Sequence, residues 1–453
     1  MEETRTERPR ENKMGTMPVG KLLVVMSVPT MFSMLIQALY NIVDSIFVSR
    51  YSEKALTAVS LAFPLQNLMF AFAIGLSIGM CSVVSRRLGE KREDEAKRAA
   101  ETGYTIELIF MVFFMLVGAF VSKPFARIYA KGDEELLRYT TTYLRICLMI
   151  SIGVFVSIYS EKALQATGDT FHPMIIQASG AIFNIIFDPI LIFGYLGFPR
   201  LGIAGAAYAT VAGQIFSMIL GIFYMKRNSY VNIKLLKPRI HKDSSKDILE
   251  VGLPSIIMQG IGTIMVSLMN GILIAYNVLA TTVFGIYFKL QSFVFMPVFG
   301  MNSGMMPILG YNYGAKNRAR MIKTLKLGLT FAFSYMTLGA LVFMIFPDAL
   351  LSLFNASDAL KAIGEVALGR IALTFPLAAI SIMLGSLFQA MGDGYLSMIQ
   401  SIIRQLGFLI PSAWLLGRLF GLDAVWFSFL IAEVFALILT LFFFKKEKRK
   451  LNF

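Results

Sequence analysis

Apolar residues run through this chain in long stretches cut by short groups of charge, proline and glycine, and no stretch alternates polar and apolar positions with period two. The cuts leave runs near 20–49, 56–85, 99–122, 136–163, 172–197, 202–225, 245–276, 280–311, 321–346, 360–389, 395–418 and 422–444. Each is long enough to cross a hydrocarbon core about 30 Å thick as a helix rising about 1.5 Å per residue. Runs this long without alternation exclude membrane strands. The pattern predicts an all-α polytopic membrane protein with twelve transmembrane helices.

The pattern also repeats. A shift of 225 residues lays Val28 and Pro29 on Leu253 and Pro254, Gln66 on Gln291, Gly75 on Gly300, Gly79 on Gly304, Gly89 on Gly314, and Arg145 on Arg370. A shift of 224 lays Gln165, Gly168 and Asp169 on Gln389, Gly392 and Asp393. Matches at so constant an offset indicate an internal duplication, hence two pseudo-symmetric six-helix bundles. Six helices per unit start both repeats on one side of the membrane, which makes them parallel repeats about an axis along the membrane normal. The expected organisation is an N-lobe over 1–225, a linker over 226–244 and a C-lobe over 245–453, with a cavity between the lobes.

Composition sharpens the class. Of 453 residues 56% are apolar and 15% charged, and mean hydropathy is +0.67, a balance no water-soluble domain of this length needs. The net charge of +14 would suit nucleic acid, but 28 of the 42 basic residues fall in five groups on alternate connections and form no recognition surface. The groups are Arg5 to Lys21, Arg86 to Arg98, Lys226 to Lys246, Lys316 to Lys326 and Lys445 to Lys450. By the positive-inside rule both termini are cytoplasmic, in a multi-pass protein of the cell (inner) membrane. The charged first 20 residues carry no small-residue cleavage site, so the first apolar run is expected to be a permanent span. Cys81, Cys147, His172 and His241 have no metal-site spacing, and the thiols are expected to be buried and inert.

Two acids interrupt the apolar runs. Gln37, Asn41 and Asp44 share one face of the first helix, with Tyr40 four residues before Asp44. In the fifth, Asn184 and Asp188 lie one turn apart and Pro189 leaves the Ile185 carbonyl without its helical donor. Intramembrane carboxylates are costly, and they mark ion or substrate pathways. Asp44 lies roughly 9 Å from Arg50 along its helix, Asp188 roughly 15 Å from Phe198 and Thr210 roughly 12 Å from Gly202, a common depth. If they converge, the acids titrate as one coupled unit near physiological pH. Alternatively Asp44, Asn184, Asp188 and Thr210 hold a sodium ion through hard oxygen donors. The plainer alternative is that each acid ties its helix to a neighbour.

Lys289 and Gln291 in the eighth run and Arg404 in the eleventh, with Gln37 and Gln66, are candidates to line a substrate cavity, though helix–helix pairing serves the charged ones equally well. Arg145 and Arg370 occupy equivalent repeat positions and read as scaffold; Glu107, Glu161 and Glu433 receive no assignment. Pro29 is expected to kink the first helix by freeing the Val25 carbonyl. No phosphate-binding loop, histidine cluster or soluble domain appears, so the chain reads as no enzyme, needs no cofactor, and must draw energy from an ion gradient.

Tyr40-Asn41-Ile-Val-Asp44-Ser, Asn184-Ile-Ile-Phe-Asp188-Pro189, Gly202-Ile-Ala-Gly205 running to Thr210, and Pro307-Ile-Leu-Gly310-Tyr311-Asn312-Tyr313-Gly314 follow one another in the order of a known family. Across nearly the whole chain they resemble the multidrug and toxic compound extrusion (MATE) transporters, and within them the prokaryotic DinF-like branch. The resemblance implies that Tyr40, Asp44, Asn184 and Asp188 respond to protons or sodium, with Thr210 less securely aligned, that Pro29 permits first-helix bending, and that the lobes rock between two open states. It implies an antiporter exporting amphipathic, often cationic compounds in exchange for H⁺ or Na⁺, functional as a monomer. The NorM-like branch uses acids in its second lobe; here Met269 and the stretch Ile410-Pro411-Ser412 stand at the positions equivalent to Asp44 and Asp188, so that cation site is missing. Competing readings are a lipid-linked oligosaccharide flippase, which commonly has fourteen spans, and an intramembrane transferase, for which His172 and Asp169 are too little. A channel fits poorly, since single acids form no ring.

Overall fold

Helices start and stop where charge, proline and glycine interrupt the apolar runs. In the computed structural model, which describes residues 12–451 apart from 131, 236 and 355, ten unbroken helices and two bent pairs make twelve spans. They are α1 (Val19–Tyr51), α2 (Glu53–Gly89), α3 (Glu93–Phe120), α4 (Glu134–Met149 with Ile152–Ala166), α5 (Phe171–Phe193) and α6 (Ile203–Arg227), then α7 (Lys242–Ile274), α8 (Val278–Gly314), α9 (Arg318–Ile345), α10 (Asp358–Ala372 with Phe375–Met391), α11 (Gly394–Phe420) and α12 (Leu422–Glu447). Arg5, Arg8 and Arg10 lie outside the described residues.

The runs over 136–163 and 360–389 read as single helices in sequence, but α4 and α10 bend by 47° and 46°. In α10 the cause is Pro376 in the first turn of the second segment, which cannot donate to the Ala372 carbonyl. In α11 a π-helical stretch over Ile403–Leu409 precedes Pro411. Hydropathy reports neither irregularity, because a bent or widened helix is as apolar as a straight one. A short helix, Ser122–Ala130, joins α3 to α4, whose first turn is capped by Asp133 accepting from the Glu135 and Leu136 amides at 3.0 Å.

The buried apolar side chains gather in three clusters, two drawn from residues 48–256 and one joining residues 14–26 to 269–432. The start of α1 thus packs into the second set of helices, and the start of α7 into the first. The glycines matched by the 225-residue shift sit at this crossing. A Cβ on Gly75 of α2 would come within 2.6 Å of Ile256 on α7, and one on Gly300 of α8 within 2.5 Å of Met31 on α1. Gly79 likewise abuts Ile248 and Gly252, Gly304 abuts Met26 and Ser27, Gly89 abuts Tyr311, and Gly314 abuts Arg86. Ile256 and Met31, Gly252 and Ser27, and Tyr311 and Arg86 are themselves 225 apart, so both crossings are built from the same positions used twice.

Polar bonds add to the seam at the end that carries Asn12, Arg86 and Arg87, called the basic end below. Arg87 donates to Ser244 at 2.8 Å and pairs with Asp247 at 2.9 Å, and Ser82 donates to the Gln389 carbonyl at 2.6 Å. Asn12 donates to the Thr167 carbonyl, while Asn312 and Arg320 donate to the Met14 carbonyl, which straps the N-terminal segment across both lobes. Towards the other end, the last such bonds among the described residues are Thr30 to the Gly300 carbonyl at 2.7 Å and Asn67 to Thr263 at 2.8 Å. Beyond them Gly271 of α7 faces open space. The lobes meet at the basic end and diverge at the other.

Candidate functional site

Asp44 and Asp188 come from separate helices, α1 and α5, and their carboxyl groups lie within hydrogen-bonding reach of each other. Asp188 and Asn184 are buried at 0% and 2% exposure, and Asp44 is half-buried. Asn184 Nδ2 donates to Asp188 Oδ1 and to Thr210 Oγ1, both at 3.3 Å. The Tyr40 hydroxyl also lies close to Thr210, so α1, α5 and α6 converge on one polar cluster. Gln37 accepts from Gln177 Nε2 of α5 at 2.9 Å, a second polar tie between the same helices nearer the basic end.

Two carboxylates in contact are both acceptors, and the contact becomes a bond only when one carries a proton or when a cation lies between them. Asp44 Oδ1, Asp188 Oδ2 and Asn184 Oδ1 are buried without a partner among the described residues, and no basic side chain pairs with either acid there. The cluster is a set of oxygen donors with an excess of negative charge. It suits one or two protons or a small hard cation.

Not every expected residue joins. Asn41, placed on the same face by spacing, is exposed, and its side chain has no partner among the described residues. It lies on the flank of α1 away from Tyr40, and the helix is rotated to turn Tyr40 and Asp44 inward. Gln66 is turned to the Tyr143 hydroxyl within the first lobe. Lys289 is exposed, with its ammonium 5.9 Å from the Phe354 ring, and Gln291 is half-buried without a side-chain partner among the described residues. Arg404 is tied to Glu433 of α12 at 3.2 Å, the helix–helix pairing that stood beside cavity lining as an equal reading.

Pro29 lies inside α1, and the Val25 carbonyl it frees accepts from Thr170 Oγ1 at 3.3 Å. Two polar groups, one half-buried and one buried, escaped assignment. Lys162 of α4 donates to Gln165 at 2.9 Å and across the seam to Ser303 of α8 at 2.6 Å; its signal was a Glu161-Lys162 couple inside an apolar run. Glu107, 1% exposed, accepts from Ser77 at 2.7 Å within the basic-end core of the first lobe, on different helices from the acid pair.

The family model described as MatE matches residues 29–190 and again 253–415, two stretches displaced by 224 and 225 residues. The multidrug export protein MepA of Staphylococcus aureus (strain bovine RF122 / ET3-1) is 28% identical over 426 residues, covering 92% of this chain and 91% of its own. A solved structure described as the outward-facing conformation of a multidrug resistance MATE family transporter of the MOP superfamily superposes with a TM-score of 0.90 at 27% identity, covering 98% of each chain. A MOP superfamily transporter from Pyrococcus furiosus, described with a binding pocket of reverse polarity, superposes at 0.89 and 26% identity, covering 98% of this chain and 99% of its own.

Proposed function

This chain belongs to the MatE family of transporters, and from that premise we propose that it exports amphipathic, often cationic organic compounds in exchange for H⁺ or Na⁺. The observation that carries the proposal is the contact between Asp44 and Asp188, two acids of different helices with no basic partner. The basic end is the cytoplasmic one in this reading, so the divergent end opens outward and the acid pair is loaded from outside.

Loading a proton or a sodium ion removes the repulsion between α1 and α5 and lets them close on each other. Asn184 and the Thr210 and Tyr40 hydroxyls reorganise with them, because they belong to the same cluster. The movement reaches the basic end through Pro29, where the α1 ladder is already interrupted and the Val25 carbonyl is held only by a side-chain hydroxyl. Closure of the first-lobe cavity expels the compound outward; a compound loaded from inside favours release of the ion. Ion and compound must then be antagonists, since each shifts the two-state equilibrium only by its differential affinity.

The test is transport by protein in vesicles with pH and sodium gradients imposed separately, comparing wild type with Asp44→Asn and Asp188→Asn. Uphill flux of a cationic dye on one gradient, lost in both variants, is the expected result. Flux unchanged in either variant on both gradients ends the proposal.

A further inference from the structure

At the divergent end, away from the five basic clusters, most cations are already occupied. Lys54 binds Asp133 and Glu135 at 3.1 and 3.0 Å, Lys361 binds Asp348 at 2.7 Å, and Arg370 donates to the Asp423 carbonyl while lying over Phe427. Arg200 and Arg418 lie over Tyr51 and Trp414. Four cations there are grouped together. Lys123 and Arg127 of the Ser122–Ala130 helix, and Arg138 and Arg145 of α4, line one pocket of about 820 Å³, and none has a carboxylate within 4.0 Å among the described residues, although Arg138 lies 5.5 Å from the Tyr139 ring centroid. Of the acids on its rim, Glu135 is taken up by Lys54 and Glu134 alone is unpaired, so the pocket is strongly positive.

Two further observations point to a ligand. Thr141, on the pocket wall between Arg138 and Arg145, is 9% exposed and its hydroxyl has no partner among the described residues. The Ser122–Ala130 helix is amphipathic: Lys123 and Arg127 turn to the pocket, while Ile128 and Tyr129, at 71% and 44% exposure, and Phe120 just before it, at 74%, are bare apolar surface. In a membrane protein such a helix lies at the boundary of headgroups and acyl chains. Its basic face then sits at the depth of lipid phosphates. The repeat equivalence makes the contrast sharper, since Arg370 is occupied and its counterpart Arg145 is not.

We propose that the groove between the Ser122–Ala130 helix and α4 binds the phosphate headgroup of an anionic membrane lipid, with Lys123, Arg127, Arg138 and Arg145 on the phosphate and Thr141 donating to it. Charge-assisted bonds from guanidinium groups suit a phosphate oxyanion, and the exposed Phe120 and Ile128 cover the upper acyl chains. The site is separate from the acid pair, and the proposal stands whether or not that pair couples an ion.

The test is native mass spectrometry of the full chain in detergent, titrated with phosphatidylglycerol or phosphatidylcholine. Three double variants are compared: Arg138→Gln with Arg145→Gln, Lys123→Gln with Arg127→Gln, and, as a charge-matched control, Arg200→Gln with Arg418→Gln. Each groove variant is expected to weaken phosphatidylglycerol binding roughly thirtyfold, the control less than about twofold, with phosphatidylcholine unaffected. The second groove variant changes only exposed side chains of a short surface helix, so folding does not obscure the answer. Unchanged binding in both groove variants, or an equal loss in the control, overturns the proposal. Inorganic phosphate that displaces the lipid at comparable concentration overturns the lipid assignment and leaves a small-anion site.

Discussion

Asp44 and Asp188 in the first repeat and Glu433 in the second are carboxylates within apolar helix bundles, but their surroundings are opposite. Glu433, 5% exposed, has Arg404 at 3.2 Å, so its charge is balanced within the protein. The first-lobe acids have each other and a set of neutral oxygen and amide groups, so theirs is not. At the positions equivalent to the first-lobe acids the second lobe places Met269, fully buried in its core, and Ser412, which bonds back to the Leu409 carbonyl at 3.2 Å. One duplicated scaffold thus carries a locked charge in one lobe and an unlocked one in the other. Helix positions survive duplication; charge balance does not.

The largest expected effect tests that contrast directly. Asp188→Asn should lower gradient-driven flux by about two orders of magnitude or more, because the pair no longer changes charge, while the melting temperature in detergent holds or rises as repulsion is removed. Arg404→Met should do the reverse. It leaves Glu433 buried without its cation and costs about 3 kcal/mol of stability by thermal or chemical denaturation, whereas Arg404→Met with Glu433→Met recovers most of that. Flux per folded molecule should stay near wild type in the double variant. A double variant that folds well and fails to transport would show that the second lobe's charge is not merely structural.

A smaller effect is expected where the acid site is linked to the seam. Thr170→Val leaves the Val25 carbonyl unpartnered opposite Pro29 and should cost about 1 kcal/mol, read as a lower melting temperature. Exchange protection should fall in the first half of α1 and stay unchanged in α7. The smallest concerns an exposed acid with its own partners. The Leu136 amide and the Lys54 ammonium hold Asp133 below the usual carboxylate range. A group depressed in the folded state adds stability above its unfolded value near 4 and loses it as pH falls through the lower folded value. Asp133→Asn should therefore slightly flatten the acid side of the melting profile without altering flux.

Apolar run length fixed the twelve spans, because a helix must satisfy its backbone within the bilayer whatever its neighbours do. The repeat was legible for a related reason: glycines such as Gly75 and Gly300 stand where two helices cross without room for a Cβ. The acid pair was legible because buried carboxylates are too costly to occur without a role, and helix rise alone put them at one depth. What sequence could not supply was rotation and partnership. Asn41 shares a helical face with Asp44 on paper and is exposed in the fold; Arg404 reads equally as a cavity residue or a helix partner until α12 brings Glu433 beside it; Arg145 and Arg370 are equivalent in the repeat, and of the two only Arg370 finds a partner among the described residues. Lys162 reaches Ser303 only because the lobes meet at the basic end. Hydropathy records how long a side chain's helix is and how deep the residue lies, whereas the direction it faces and the charge it meets depend on helices far away in the chain, and those only packing brings together.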